Sequence, residues 1–344
     1  MDNSTTAYAK NTDVFNKNNI DNTIYDVGML DVFAHNKMDV FTIALGVSAS
    51  KGTKKGGQGA ALNGEVAINM GRNDVQAYIE SDEDSKLINM QTLNAKATDD
   101  SYLVAVAGAV EAGKGCGIGG TVALNWLGDY DTSSTDGITL KENGKKQTVY
   151  AAINGYDITM ADNGTVSVKA SNDEAKLTTV SVGTAIEGGA VAFQGSYAGT
   201  DLNVDTIAQM LDNNVNAYND TSNYTISLDA YSENEIITTS VVAAIAFNAG
   251  GNNSYVAMGC GLAQNKLNTD TYAIIAGGEY ENVGDMKINS KSDVDLTNVT
   301  IGAAGGQTTV TLSGSWGHNV LNNDTVAQIG YDDPNKETKI TADG

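Results

Sequence analysis

The sequence predicts an all-β chain, a right-handed parallel β-helix. Three observations point there. A cluster of one form recurs as DVQAYI (74–79), DTIAQM (205–210), DTYAII (270–275) and DTVAQI (324–329), with a stretched copy, QTVYAAI, at 147–153. Upstream of each copy an alternating run appears, VAINM (66–70), VALNW (122–126), VAFQG (191–195), VAMGC (256–260) and VTLSG (310–314), with starts 56, 69, 65 and 54 residues apart. The composition agrees: 38 glycines, the single proline Pro334, and 6% aromatics in 344 residues. Period-2 alternation inside a repeat of about 55–70 residues describes stacked strands. A narrow bore admits Ala, Val and Ile more readily than Phe or Trp.

Each repeat opens on a strand of the form apolar-x-apolar-x-Ala: LDVFA (30–34), LNAKA (93–97), VSVKA (166–170) and ISLDA (226–230), continued by MKINS (286–290) and TKITA (338–342). Polar segments such as TDDS (98–101), SNDE (171–174) and YSENE (231–235) follow and read as turns. A second alternating strand comes next, FTIALGV (41–47), LVAVAGAV (103–110), LTTVSVGTA (177–185), IITTSVVAAIA (236–246) or LTNVTIGAA (296–304). A glycine-rich bend, as in GKGCGIGG (113–120), leads into the VAxN-type and DTxA-type strands. This gives at least four short strands per repeat.

Side chains alternate across a strand. The expected inward set is Val, Ile, Leu, Ala and Thr, with Val106, Val182 and Ile301 among them; Lys, Asn, Asp, Gln and Ser face out. Segments of roughly 18–24 residues per turn, three turns to a repeat, predict roughly 15–18 coils and a rod roughly 70–90 Å long at about 4.8 Å per coil. Asn69 and Asn125 share a phase, so they are expected to stack as an amide ladder.

The domain reading is one β-helix segment over 1–344, about five repeats, cut from a larger protein. TTAYAK (5–10) reads as the tail of one repeat and KITADG (339–344) as the start of another, with Met1 added for expression. One insertion breaks the pattern, a loop at about 129–147. It contains DGITL (136–140) and ENGKK (142–146), a hairpin signal with its turn at Asn143-Gly144. Insertions in solenoids emerge on one face, often the binding face. Asp129, Tyr130, Asp131, Asp136, Lys141 and Lys145 are therefore the candidate binding residues.

The net charge is −22 and Arg72 is the sole arginine, which excludes a phosphate-backbone partner. No apolar run is long enough for a membrane-spanning helix, and membrane insertion of this segment is not expected. Cys116 and Cys260 fall in different repeats, too far apart to bond, and are expected to be buried as small hydrophobes. His35 and His318 lie in repeats at opposite ends and are expected at the surface. No catalytic residue, cofactor site or metal site is predicted. Structural calcium is the one metal weighed, at Asp129/Asp131/Asp136 or at Asp82/Glu83/Asp84, but neither cluster meets the twelve-residue calcium-loop framework. A β-helix hydrolase needs two carboxylates at fixed separation, and a calcium-type lyase needs an arginine-like base beside a calcium-binding acid cluster. Arg72 is the sole arginine and no grouped Asp pair stands on one strand face beside it, so the chain is expected not to be an enzyme.

With VAIN-x(5)-DVQAYI and VxA…VxVGxA…GG…VAxN in view, the chain resembles the leukotoxin-type filamentous adhesins of anaerobic Gram-negative bacteria, from about residue 5 to the end. The resemblance implies a surface-exposed or secreted passenger, exported through the outer membrane by a type V route and acting in adhesion. It carries no site residues over, because the matching positions are structural. The resulting expectation is a non-catalytic stalk segment that presents a binding surface to a host-cell or bacterial receptor. The alternatives are a polysaccharide-binding or polysaccharide-degrading β-helix, and a fibre segment that associates with itself through sheet faces or ends.

Overall fold

Alternating sequences of this kind leave every second side chain on one face, and they form long strands throughout the computed structural model. It describes residues 2–12, 14–15, 28–51, 59–82, 85–128, 146–189, 191–247, 255–307, 310–331 and 336–342. Among these there is no helix. The strands are β1 (Asp2–Lys10), β2 (Val14–Phe15), β3 (Gly28–Ala49), β4 (Gly59–Glu80), β5 (Lys86–Gly113), β6 (Gly115–Leu127), β7 (Gln147–Asn154), β8 (Asp157–Glu187), β9 (Val191–Ala217), β10 (Tyr224–Ala246), β11 (Val256–Glu281), β12 (Val283–Gly306), β13 (Val310–Ile329) and β14 (Lys339–Thr341).

All pairing is parallel, and the long strands fall into two ladders. Sheet A runs β3–β5–β8–β10–β12. Sheet B runs β1–β4, then β6 and β7, then β9–β11–β13. The ladders join where the start of β8 pairs the end of β9, Asp157 opposite Asn214. Equivalent corners at Gly155 (φ 73), Asp212 (φ 54) and Gly277 (φ 71) use the left-handed conformation, which Gly and Asp tolerate best.

The register corrects the expected coil. Paired residues are a whole repeat apart, not a third of one: 54 residues separate Val256 from Val310, and 75 separate Cys116 from Val191. Segments such as TDDS (98–101) do not reverse the chain; they lie inside β5. Sheet B is thus six strands deep, which at about 4.8 Å per step gives a body about 25 Å deep rather than a rod of 70–90 Å.

The core changes character along the strands. In the half nearer the Gly155, Asp212 and Gly277 corners, here the proximal half, sheet A turns Leu93, Val166 and Ile226 inward against Ile79, Ile153 and Met210 of sheet B; the opposite half is distal. Leu103, Leu177, Ile236, Leu202 and Leu267 close the middle. Beyond them the interior holds small residues, with Ala105, Ala107, Ser181, Thr238 and Ser240 buried. Here the sheets approach so closely that a β-carbon on Gly302 would lie 2.3 Å from the carbonyl oxygen of Gly314. The larger residues that do point inward here stand beside glycines, as buried Val242 does between Gly183 and Gly302. Val106, Val182 and Ile301 lie on the opposite phase of the alternation and face out, against expectation; Val182 and Ile301 are 38% and 50% exposed. An offset of one residue in an alternating run reverses both faces.

Candidate functional surface

The predicted binding residues Asp129, Tyr130, Asp131, Asp136, Lys141 and Lys145 lie outside the described residues, as do Glu83 and Asp84 of the second acidic cluster. Lys146, at the loop's edge, is described. Its Nζ bridges Asp205 (2.8 Å) and Asp270 (2.6 Å) of successive layers. The acid of the DTxA repeat stacks on itself, since Asp205, Asp270 and Asp324 are register partners. In the layer where Thr148 replaces that acid, the insertion supplies the cation. Burial lowers the Lys146 pKa, but bonding to the two carboxylates outweighs it and holds the ammonium above its ordinary value.

Inside the distal half, polar side chains form a spine that crosses between the sheets. Asn69 Nδ2 donates to Asn125 Oδ1 at 2.9 Å, the ladder read from the sequence. Asn125 Nδ2 donates to Thr179 Oγ1 (2.8 Å), Thr179 bonds Thr200 (2.7 Å), and Thr200 bonds Thr238 (2.9 Å). Thr238 donates to Asn265, which donates to Asn319 at 3.0 Å. A second column runs Thr121, Ser181, Ser196, Ser240 at 2.8–2.9 Å. Polar side chains fully paired in a narrow interior fix the sheet spacing and register. The threonine and serine links were hidden in sequence, because neighbours in the spine belong to different repeats and different strand types.

Three buried carboxylates also went unread. Asp99 accepts from Asn36 (2.8 Å), Asn73 (3.0 Å), Ser101 (2.8 Å) and Gln147 (2.7 Å). Burial raises its pKa to about 6, with the donors from Asn36, Ser101 and Asn73 opposing. Glu111 and Glu187 point into the glycine-lined distal interior, where no side chain among the described residues donates to either. A β-carbon on Gly119 would fall 1.8 Å from Glu111 Oε1 and 2.2 Å from Gln194 Oε1, so these two acceptors share one small space. Burial first, then Glu187, raises the Glu111 pKa to about 7, with the Asn63 backbone opposing. Burial raises Glu187 as well.

The outer surface divides in two. Proximally, sheet A displays charge, with Lys37, Asp39, Asp100, Tyr102, Glu174 and Lys176 lining a shallow hollow. His35 bonds Asp100 at 3.0 Å at this surface, and His318 stacks on Trp316 in the last layer. Distally, the outward positions of sheet A carry no charged residue from Phe41, Val104, Thr178, Ile237 and Thr297 onward. Sheet B matches it, with Leu62, Val66, Ile118, Leu312 and Trp316 exposed. Both cysteines are free but not buried as expected: Cys116 is half-buried and Cys260 exposed, because their strand positions face out.

Among the described residues no three His, Cys, Asp or Glu side chains converge as a metal site, and no helix is long and apolar enough to cross a membrane. No known family, curated protein or solved structure matches the chain.

Proposed function

We propose that this chain is a non-catalytic structural segment of a secreted or cell-surface bacterial adhesin, wound as a right-handed parallel β-solenoid with one repeat per turn. The observation that carries the reading is parallel pairing of each repeat with the next, strand on matching strand, through sheets A and B. Parallel crossover connections are right-handed in nearly every known sheet. The resemblance of the repeats to leukotoxin-type adhesins supports export and adhesion.

The geometry favours surface presentation over reach. A repeat of about 60 residues adds only one strand spacing of about 4.8 Å to the stack, a poor yield for a spacer. The same repeat adds long strips of outer face. The charged proximal hollow and the 129–147 insertion are the surfaces offered to a host-cell or bacterial receptor. Host epithelial cells and whole bacteria are therefore expected to adhere to immobilised protein, and deletion of 130–144 to reduce that adhesion. Equal adhesion to an acidic control protein of similar charge would overturn the reading.

A further inference from the structure

We infer that the distal outer faces are mating surfaces between copies of this chain, sheet A of one copy packing on sheet B of the next. This does not rest on the adhesion reading. The chain carries net charge −22, yet among the described residues the outward strand positions of both distal faces hold no charged side chain. On sheet A, Ile43, Leu45 and Val47 are 65%, 72% and 81% exposed; the Leu45 column continues through Gly108, Val182, Val241 and Ile301, and the Ile43 column through Val106, Val180, Thr239 and Val299. About nine residues by five strands is about 700 Å² of apolar face, close to the roughly 800 Å² per partner of a stable interface. A partner recognised by charge finds nothing to bind on these faces.

The shapes correspond. Sheet B carries an outward column of small residues, Gly64, Gly120, Gly195, Cys260 and Gly314, one above another. The fold does not require the glycines: a β-carbon on Gly120 or Gly314 meets nothing within 4 Å, and none of the four has positive φ. Glycine inside a strand weakens it and marks close approach of another body. Here it leaves a groove between the Leu62–Ile118–Phe193 column and the Val66–Val122–Tyr197 column. The matching ridge on sheet A is the Leu45–Gly108–Val182–Val241–Ile301 column, in which the Leu45 side chain leans over Gly108. Both repeat at the strand spacing, so ridge and groove stay matched when strands align at the usual sheet-on-sheet distance of about 10 Å. A lipid surface is a poorer occupant, because the open edges of the end strands cannot be satisfied in hydrocarbon. Joining unlike faces leaves one of each free, so assembly continues past the dimer.

Sedimentation velocity over a wide concentration range tests this with wild type, Val182→Lys (sheet A blocked) and Gly195→Leu (groove filled), each checked for an unchanged circular dichroism spectrum. Val241→Lys and Gly120→Leu replace any variant that misfolds. Wild type is expected to assemble beyond the dimer and each variant alone to stay monomeric. An equal mixture of the two variants is expected to stop at a one-to-one dimer, since one retains its groove and the other its ridge. A monomeric wild type overturns the inference, and so does a Gly195→Leu protein that still dimerises, which would mean sheet A pairs with itself. A wild type that stays monomeric but floats with phosphatidylcholine vesicles would assign the faces to lipid instead.

Discussion

Replacing Glu111 by Gln tests the reading of the distal interior most directly. The carboxylate is fully buried, no side chain among the described residues donates to it, and it shares its space with Gln194 Oε1. Its pKa rises from 4.5 to about 7 on folding. A raised acid pKa means the folded state holds the proton more tightly than the unfolded state. The associated stability is complete below about pH 4.5, declines as pH rises, and is gone above about pH 7. At about 1.4 kcal/mol per unit, the loss across that window is about 3 kcal/mol. A neutral amide in the same place has no proton to lose, and its NH2 group can donate to Gln194. Glu111→Gln is therefore expected to match wild type near pH 4.5 and to exceed it by about 2–3 kcal/mol at pH 8. The assay is urea unfolding at several pH values. Asp99 and Glu187 titrate in both proteins, so the decisive quantity is the difference between the two curves. Parallel curves, or a variant weaker than wild type at pH 8, would show that Glu111 is ionised and solvated in the native state and refute the geometry.

Asn125→Ala removes the donor to Thr178 O and Thr179 and the acceptor for Asn69; a loss of about 3 kcal/mol is expected in thermal or urea unfolding. Lys146→Met leaves Asp205 and Asp270 facing each other, costing about 1 kcal/mol at low salt and less at high salt, when melting is followed across ionic strength. Val182→Asp and Ala107→Val test which face is inside. The first is expected to cost at most about 1 kcal/mol in the monomer, and the second about 1–3 kcal/mol by overpacking the pinched gap. The opposite order would return Val182 to the interior.

Much of the secondary structure was legible, because alternation marks strands wherever it runs: FTIALGV, LVAVAGAV and IITTSVVAAIA all lie in strands of sheet A. Parallel stacking followed from the repeats, and the Asn69–Asn125 contact from their shared phase. Alternation is symmetric, however, and does not say which half of the residues is inside. Hydrophobicity was the guide, and it served for Leu93 and Ile226, where the sheets stand apart. It failed at Val182, where Ser181 and Ser196 draw them together by hydrogen bonds. The residues per turn are not legible because a polar segment such as SNDE has the composition of a reversal, while the chain runs straight through it within β8. Asp99 and Glu111 gave no signal at all: each sits in an ordinary alternating run, and only the opposing sheet supplies its burial.

The unequal spacing of partners has a practical side. Val256 matches Val191 above and Val310 below although the intervening stretches differ by eleven residues. The surplus is taken up where the chain passes from one sheet to the other. Lengthening a flexible connection costs little free energy, growing only with the logarithm of its length. These crossings are thus natural splice points, where a tag, an epitope or a whole small domain could be grafted while every ladder above and below keeps its alignment.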